Sequence, residues 1–275
     1  MTARRRRWTP WTTDGKRSRR TTPDRLESRE TDQIRRRIRF IPCQDAGPDR
    51  TLRSRTFIVN FKNYPEVMGD GSIRLAKAAA GLAWEMGIDV VVSPPTPMLH
   101  TVASTVKIPV FAQRTELGEQ GKSTGHSIPE SIKAAGCAGS LLNHSESRIP
   151  MDILELTIER MKSLGLASCA CAETTDEAVK IAAFSPEFLA IEPPELIGTG
   201  RAVSKARPEL LKGTAEALAK AGFRGSLLCG AGIVSGEDVA AAMRLGTDGI
   251  LVASSVVKAQ DWQAKLRELG AAMRP

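Results

Sequence analysis

Eight short apolar runs, each followed by an amphipathic stretch, constrain this chain more than any other feature. The runs fall at residues 57–61, 89–93, 110–113, 139–143, 167–172, 188–191, 225–229 and 249–253. They are rich in Val, Ile, Leu and Ala and do not alternate with polar residues. That is the pattern of strands covered on both faces in a parallel sheet. The amphipathic stretches, at 72–86, 97–105, 129–135, 151–164, 175–184, 208–221, 237–245 and 261–273, read as helices. Ser72, Asp152, Thr175 and Ser235 stand at or near their starts, and Pro208 sits in a first turn. Gly87, Gly136, Gly165, Gly222 and Gly246 stand at their ends. Eight β/α units in residues 56–275 predict an α/β fold, a (β/α)8 barrel near the small end of its range. A doubly wound open sheet would open its first helix with a glycine-rich fingerprint, and none follows residues 57–61.

Residues 1–55 stand apart. They carry 17 of the 39 basic residues and only seven acidic ones, a net charge of +10. The remaining residues carry 22 basic and 24 acidic side chains, so the body of the chain is near neutral. The segment has one short periodic patch, residues 34–41, and too little apolar content to offset the entropy of ordering a chain. A disordered Arg-rich extension is the expectation. It reads as dispensable; no aromatic interleaving or binding module accompanies the charge, which argues against a nucleic-acid partner. The five cysteines, 43, 137, 169, 171 and 229, are odd in number and sit mostly in apolar runs, which reads as reduced core thiols in a cytoplasmic protein. Cys169 and Cys171 would share one face of a strand, but no second ligand pair stands at metal-site spacing, so no metal is expected. No apolar run has the length of a membrane span, and nothing apolar follows Arg4–Arg7 to make a signal peptide.

In a parallel barrel the chemistry gathers where strands end and the following loops begin. Strand one ends in Asn60, Phe61 and Lys62; strand four in Asn143, His144, Ser145 and Glu146; strand six in Glu192; strand seven in Gly230, Ala231 and Gly232; strand eight in Ala253, Ser254 and Ser255. A carboxylate can abstract a proton, an imidazole can polarise a carbonyl, and a lysine can balance an anion. Small-residue loops let backbone N–H groups approach a phosphate. Together they fit proton abstraction beside a carbonyl on a small phosphorylated substrate. After Glu192 come Pro193 and Pro194, which fix φ, and then Gly198-Thr199-Gly200, which free it. That order suits a loop closing over a small ligand. His100 and His126 follow no strand end and read as structural or surface residues.

These motifs resemble the triosephosphate isomerases, in particular their short archaeal branch. The resemblance is carried by Asn60-Phe61-Lys62, Asn143 to Glu146, the stretch 190–200, residues 124–130, residues 229–233 and residues 252–254, and it runs from about residue 57 to the end. It implies a TIM barrel acting in glycolysis and gluconeogenesis that interconverts D-glyceraldehyde 3-phosphate and dihydroxyacetone phosphate through an enediolate. It further implies no metal or organic cofactor, and a homodimer or homotetramer. Glu192 would be the base, His144 the electrophile and Lys62 the cation. Asn60 would hold substrate and lysine, with Glu146 as a buttress. Phe61, Ile197, Gly198, Gly232, Ala253 and Ser254 would belong to the substrate and phosphate site. Two positions depart from the family pattern. Ser255 stands where glycine is expected, so a β-carbon would crowd the phosphate if the backbone there needs positive φ. Ser147 stands where an arginine is expected, with Arg148 as the candidate substitute.

Overall fold

The computed structural model describes residues 55–196 and 202–274. The expected extension lies outside them except for its last residue, Arg55, whose guanidinium donates to the carbonyl of Met273. The strands are β1 (Thr56–Asn60), β2 (Asp89–Ser93), β3 (Phe111–Ala112), β4 (Gly139–Leu142), β5 (Ala167–Ala172), β6 (Phe188–Ile191), β7 (Ser226–Cys229) and β8 (Gly249–Val252). Their order in the sheet is β2-β1-β8-β7-β6-β5-β4-β3, every pair parallel. The ring is completed by a parallel bridge between Val92 and Val110, with Val92 N donating to Pro109 O at 3.1 Å. This is the (β/α)8 barrel that the eightfold alternation predicts.

The helices among the described residues are α1 (Asp70–Met86), α2 (Leu99–Thr105), α3 (Pro129–Ala134), α4 (Met151–Ser163), α5 (Thr175–Ala182), α6 (Val203–Ala206), α7 (Pro208–Lys220), α8 (Gly236–Arg244), α9 (Ser254–Val257) and α10 (Trp262–Ala271). Their starts are refined in three places. Ser72 does not cap α1, which begins two residues earlier after Gly69; its hydroxyl donates to the carbonyl of Val67. The cap of α5 is Thr174, whose hydroxyl accepts from Glu177 N. Pro150, not Asp152, precedes α4. Ser235 does cap α8, in a reciprocal capping box with Asp238. Gly87 ends α1 at φ 64°, a left-handed cap that costs glycine nothing.

Alternation along each strand builds two cores. Ile58, Val91, Phe111, Leu141, Cys169, Cys171, Phe188, Ala190, Leu228 and Leu251 fill the barrel interior. Their neighbours, such as Phe57, Val59, Val90, Leu142, Leu189, Ile191 and Ile250, pack outward with Leu75, Leu154, Ile158, Leu211 and Leu266 of the helices. The strands are therefore buried on both faces, which explains why they lack polar alternation. The lower interior is filled by Phe111 and Phe188, ring centroids 6.2 Å apart at 61°. Gly139 makes room for them: a β-carbon there would lie 2.8 Å from the Phe111 ring and 2.2 Å from Ala167 O. With the bottom of the barrel filled by rings, space remains at the opposite end, where the strands terminate.

Candidate active site

Glu192 continues the inward-facing series of β6, two residues after Ala190. Its N–H still donates to Ala172 O at 2.8 Å, so the ladder fixes its backbone before Pro193 ends the strand. The side chain is 2 % exposed, and among the described residues its Oε2 has no hydrogen-bond partner. Burial holds the carboxyl above its usual range. His144, a hydrogen bond with the Cys171 thiol and Lys62 oppose that shift, while Glu146 adds to it. A buried carboxylate with a free oxygen and a raised pKa is a competent base aimed at an open space.

The space lies in front of His144, whose Nε2 is 3.7 Å from Glu192 Oε2. On the other side of the ring, Nδ1 accepts from Glu146 N at 3.1 Å. That bond places the ring proton on Nε2, where it points toward Glu192. His144 reaches this position because Asn143, just before it, leaves the strand in the left-handed region at φ 56°. Lys62 also has a left-handed backbone, at φ 48°. Two side chains hold it there. Asn60 Oδ1 accepts from Lys62 N at 2.9 Å, and Gln113 Nε2 donates to Lys62 O at 2.9 Å and to Ser93 O at 3.1 Å. Non-glycine residues in this region store strain of about 1 kcal/mol or more, which the surrounding bonds must offset. The Lys62 ammonium meets Glu146 Oε1 at 2.8 Å, and Glu146 is 61 % exposed.

Between Glu192 after β6 and Asn60 and Lys62 at the end of β1, the rim is made by the loops after β7 and β8. Gly232 adopts φ 73°. Beyond it, Val234 N and Ser235 N donate to Asp238 Oδ2 at 3.1 and 2.9 Å. Lys205 meets Asp238 Oδ1 at 2.9 Å. Burial alone would raise the Asp238 carboxyl, but the bonds from Lys205, Val234 and Ser235 bring it below its usual range. Among the described residues, no backbone carbonyl takes up the N–H groups of Gly232, Ile233, Ser254 or Ser255. Four unclaimed donors on one wall can accept an anion.

The pocket is lined by Asn60, Lys62, Tyr64, His144 and Glu192, together with Gly230 to Val234 and Leu251 to Ser255. Asn60, Lys62, His144, Glu192, Gly232, Ala253 and Ser254, singled out in the sequence, thus meet in one space. Phe61 is fully buried in the outer core and does not line the pocket. Ile197 and Gly198 lie outside the described residues. His100 and His126 are exposed on the surface. Ser255 is not in a strained conformation: it belongs to α9, and the only non-glycine residues with positive φ among those described are Lys62, Asn143 and Ser185. Ser147 receives a hydrogen bond from Arg114 Nη1 at 2.8 Å, so the cation over that loop comes from the β3 side. Arg148 turns inward to the carbonyl of Asn143. The sequence reading did not name Gln113 or Tyr64 as site-forming residues, and it placed Gly230 on the rim without seeing its contact with Glu192. Gln113 carried a signal, as a polar residue closing an apolar strand-three run.

Cys137, Cys169, Cys171 and Cys229 are unpaired and buried, and burial pushes Cys137 and Cys229 up to about 12. Among the described residues no group of three or more His, Cys, Asp or Glu is placed to hold a metal ion. No described helix is long and apolar enough to cross a membrane.

Comparison with known proteins agrees with this geometry. The family model described as triosephosphate isomerase matches residues 55–269. The chain is 43 % identical over 212 residues to the triosephosphate isomerase of Methanocaldococcus jannaschii, covering 77 % of this chain and 97 % of that one. It is 42 % identical over 212 residues to the enzyme of Methanosarcina barkeri, covering 77 % and 96 %. It is 43 % identical over the same length to that of Pyrobaculum arsenaticum, covering 77 % and 95 %. With a family match spanning the whole barrel, the chain belongs to the triosephosphate isomerase family.

Proposed function

We propose that this chain interconverts D-glyceraldehyde 3-phosphate and dihydroxyacetone phosphate, with Glu192 moving the proton. The observation that carries the assignment is the unpartnered Oε2 of Glu192, 3.7 Å from His144 Nε2 at one side of the pocket. Glu192 takes a proton from the carbon beside the substrate carbonyl. The electron pair moves onto the carbonyl oxygen, and His144 donates its Nε2 hydrogen bond to that oxygen as negative charge develops. The hydroxyl proton of the carbon that lost its hydrogen passes to the former carbonyl oxygen, and the carboxylic acid returns its proton to the former carbonyl carbon, leaving the carbonyl on the first carbon. Burial makes Glu192 a stronger base than an exposed carboxylate, which suits removal of a weakly acidic carbon-bound proton. Lys62 faces the same space and supplies positive charge; substrate takes the place of Glu146 as its partner. Asn60 fixes Lys62 through its backbone. The phosphate is held by the N–H groups around Gly232 and Ser254.

Residues 1–55 are proposed to be an extension outside the catalytic unit. The family match begins at residue 55, and the relatives are covered almost entirely while a fifth or more of this chain is not. A cytoplasmic homodimer or homotetramer completes the reading, supported by four unpaired thiols and by the resemblance to the archaeal branch. A coupled isomerase assay on the full chain and on a protein starting at Arg55 tests the assignment. Turnover of both triose phosphates by both proteins is expected; folded protein without turnover would overturn it.

A further inference from the structure

The orientation of His144 depends on a carboxylate that touches neither the pocket nor the imidazole. Asn143 is buried and left-handed, and each polar atom of its side chain is engaged. Its Nδ2 donates to Cys171 O at 3.0 Å and to Glu177 Oε1 at 3.1 Å, and its Oδ1 accepts from Ile149 N at 3.0 Å. Its carbonyl accepts from Arg148 Nη1 at 3.1 Å, and Arg148 Nη2 also donates to Glu177 Oε1. Glu177 is itself fixed. Its second oxygen accepts from Glu173 N at 2.8 Å, and its backbone N–H is held by the Thr174 cap at the start of α5. Residues 143–149 are thus wound around Asn143, and from the neighbouring β/α unit Glu177 joins both Asn143 and Arg148, while Glu173 Oε1 stands farther off, 3.7 Å from Arg148 Nη1.

We propose that Glu177 is a positioning residue for the isomerisation, holding Asn143 left-handed and Arg148 inward so that His144 presents Nε2 to the pocket. The inference rests on the reading of the site given above. Without Glu177, Asn143 loses one partner, and Arg148 loses the closer of its two carboxylates, leaving Glu173 Oε1 at 3.7 Å from its Nη1. The left-handed residue then has fewer bonds offsetting its strain, and an extended backbone at 143 would swing the imidazole away. The phosphate wall, built by the loops after β7 and β8, shares no hydrogen bond with this cluster among the described residues. The effect should therefore fall on the chemical step and spare phosphate binding.

The test is the kcat and KM of the full-length protein beside Glu177→Ala and Glu177→Gln, with competitive inhibition by inorganic phosphate as an independent readout. Glu177→Ala is expected to lower kcat by about tenfold to a hundredfold, the scale of a small misplacement of a catalytic group, with KM and phosphate inhibition within about twofold. Glu177→Gln keeps the acceptor for Asn143 but not the charge for Arg148, so kcat should fall by about threefold. Should the alanine variant fail to fold, the glutamine variant decides alone. Unchanged kcat in the variants overturns the inference, as does a parallel loss of kcat and phosphate affinity, which would mark general loosening of the rim. No turnover by the unaltered protein overturns the reading of the site along with it.

Discussion

Gly230 is the wall against which Glu192 stands. A β-carbon built on Gly230 would lie 2.4 Å from Glu192 Cγ and 2.9 Å from Oε1. The neighbouring strand tip is thus bare where the base needs room, and the carboxylate occupies the volume a side chain would fill. Glycine is required here for close approach and not for its backbone freedom, since its φ is not positive.

Gly230→Ala should therefore displace the carboxylate while leaving the rest of the barrel in place. A shift of a fraction of an ångström in a base reaching for a carbon-bound proton costs about tenfold to a hundredfold in kcat. KM should change less, because Gly232, Ser254 and Ser255 are untouched. Steady-state kinetics of the variant checks this. A kcat within twofold of the parent would mean that Glu192 has a second position from which it works equally well.

Glu192→Gln separates activity from stability. The amide cannot take a proton, so kcat should fall by about 10²–10⁴-fold. Stability should move the other way. The folded-state pKa of Glu192 lies above its unfolded value because burial penalises the charge. A group shifted in that direction favours the fold most below its unfolded pKa, and that contribution is lost as pH rises through the folded pKa. At neutral pH the buried Glu192 therefore costs the fold free energy, and glutamine removes that cost. Each kcal/mol recovered corresponds to roughly 2–4 °C in Tm for a chain of this size. Thermal unfolding should show a higher Tm for the variant at pH 7, with the gain shrinking as pH falls and nearly gone below the ordinary carboxylate value of 4.5. A gain that grows on acidification would reverse the sign and reject burial as the dominant cause.

The barrel was legible because its cause is repetitive. Each strand is buried on both faces, so each had to be a continuous apolar run, and eight of them admit few alternatives. Residues at strand tips were legible for the same reason: Asn60 and Glu192 stand where a run ends in a polar residue facing inward. The bonds that aim these groups were not. Gln113 reaches Lys62 across 51 positions, and Glu177 reaches Asn143 across 34, and no local pattern marks either pair. Phe61 was misleading in the opposite way. It sits between two pocket residues in sequence, but strand alternation turns it outward into the helical layer. The left-handed conformations of Lys62 and Asn143 also escaped the sequence reading, because lysine gives no signal for positive φ and asparagine only a weak one.

Ser255 shows how the backbone reverses an expectation drawn from residue type. If glycine were needed there for positive φ, Ser255→Gly would relieve strain and lower KM. Ser255 instead lies in the first turn of α9, after Ala253 at φ −136° has already turned the chain. A serine in right-handed helical conformation stores no such strain, and its β-carbon holds the turn better than glycine would. Replacement by glycine should then cost about 0.5–1 kcal/mol of stability through added freedom in the unfolded chain. The N–H groups of Ser254 and Ser255, two residues that line the pocket, would be less well fixed, so KM should stay the same or rise up to about threefold, with kcat little changed. Measuring Tm together with both kinetic constants tests this. A Ser255→Gly protein with a clearly lower KM would show that the β-carbon crowds the phosphate despite its relaxed backbone.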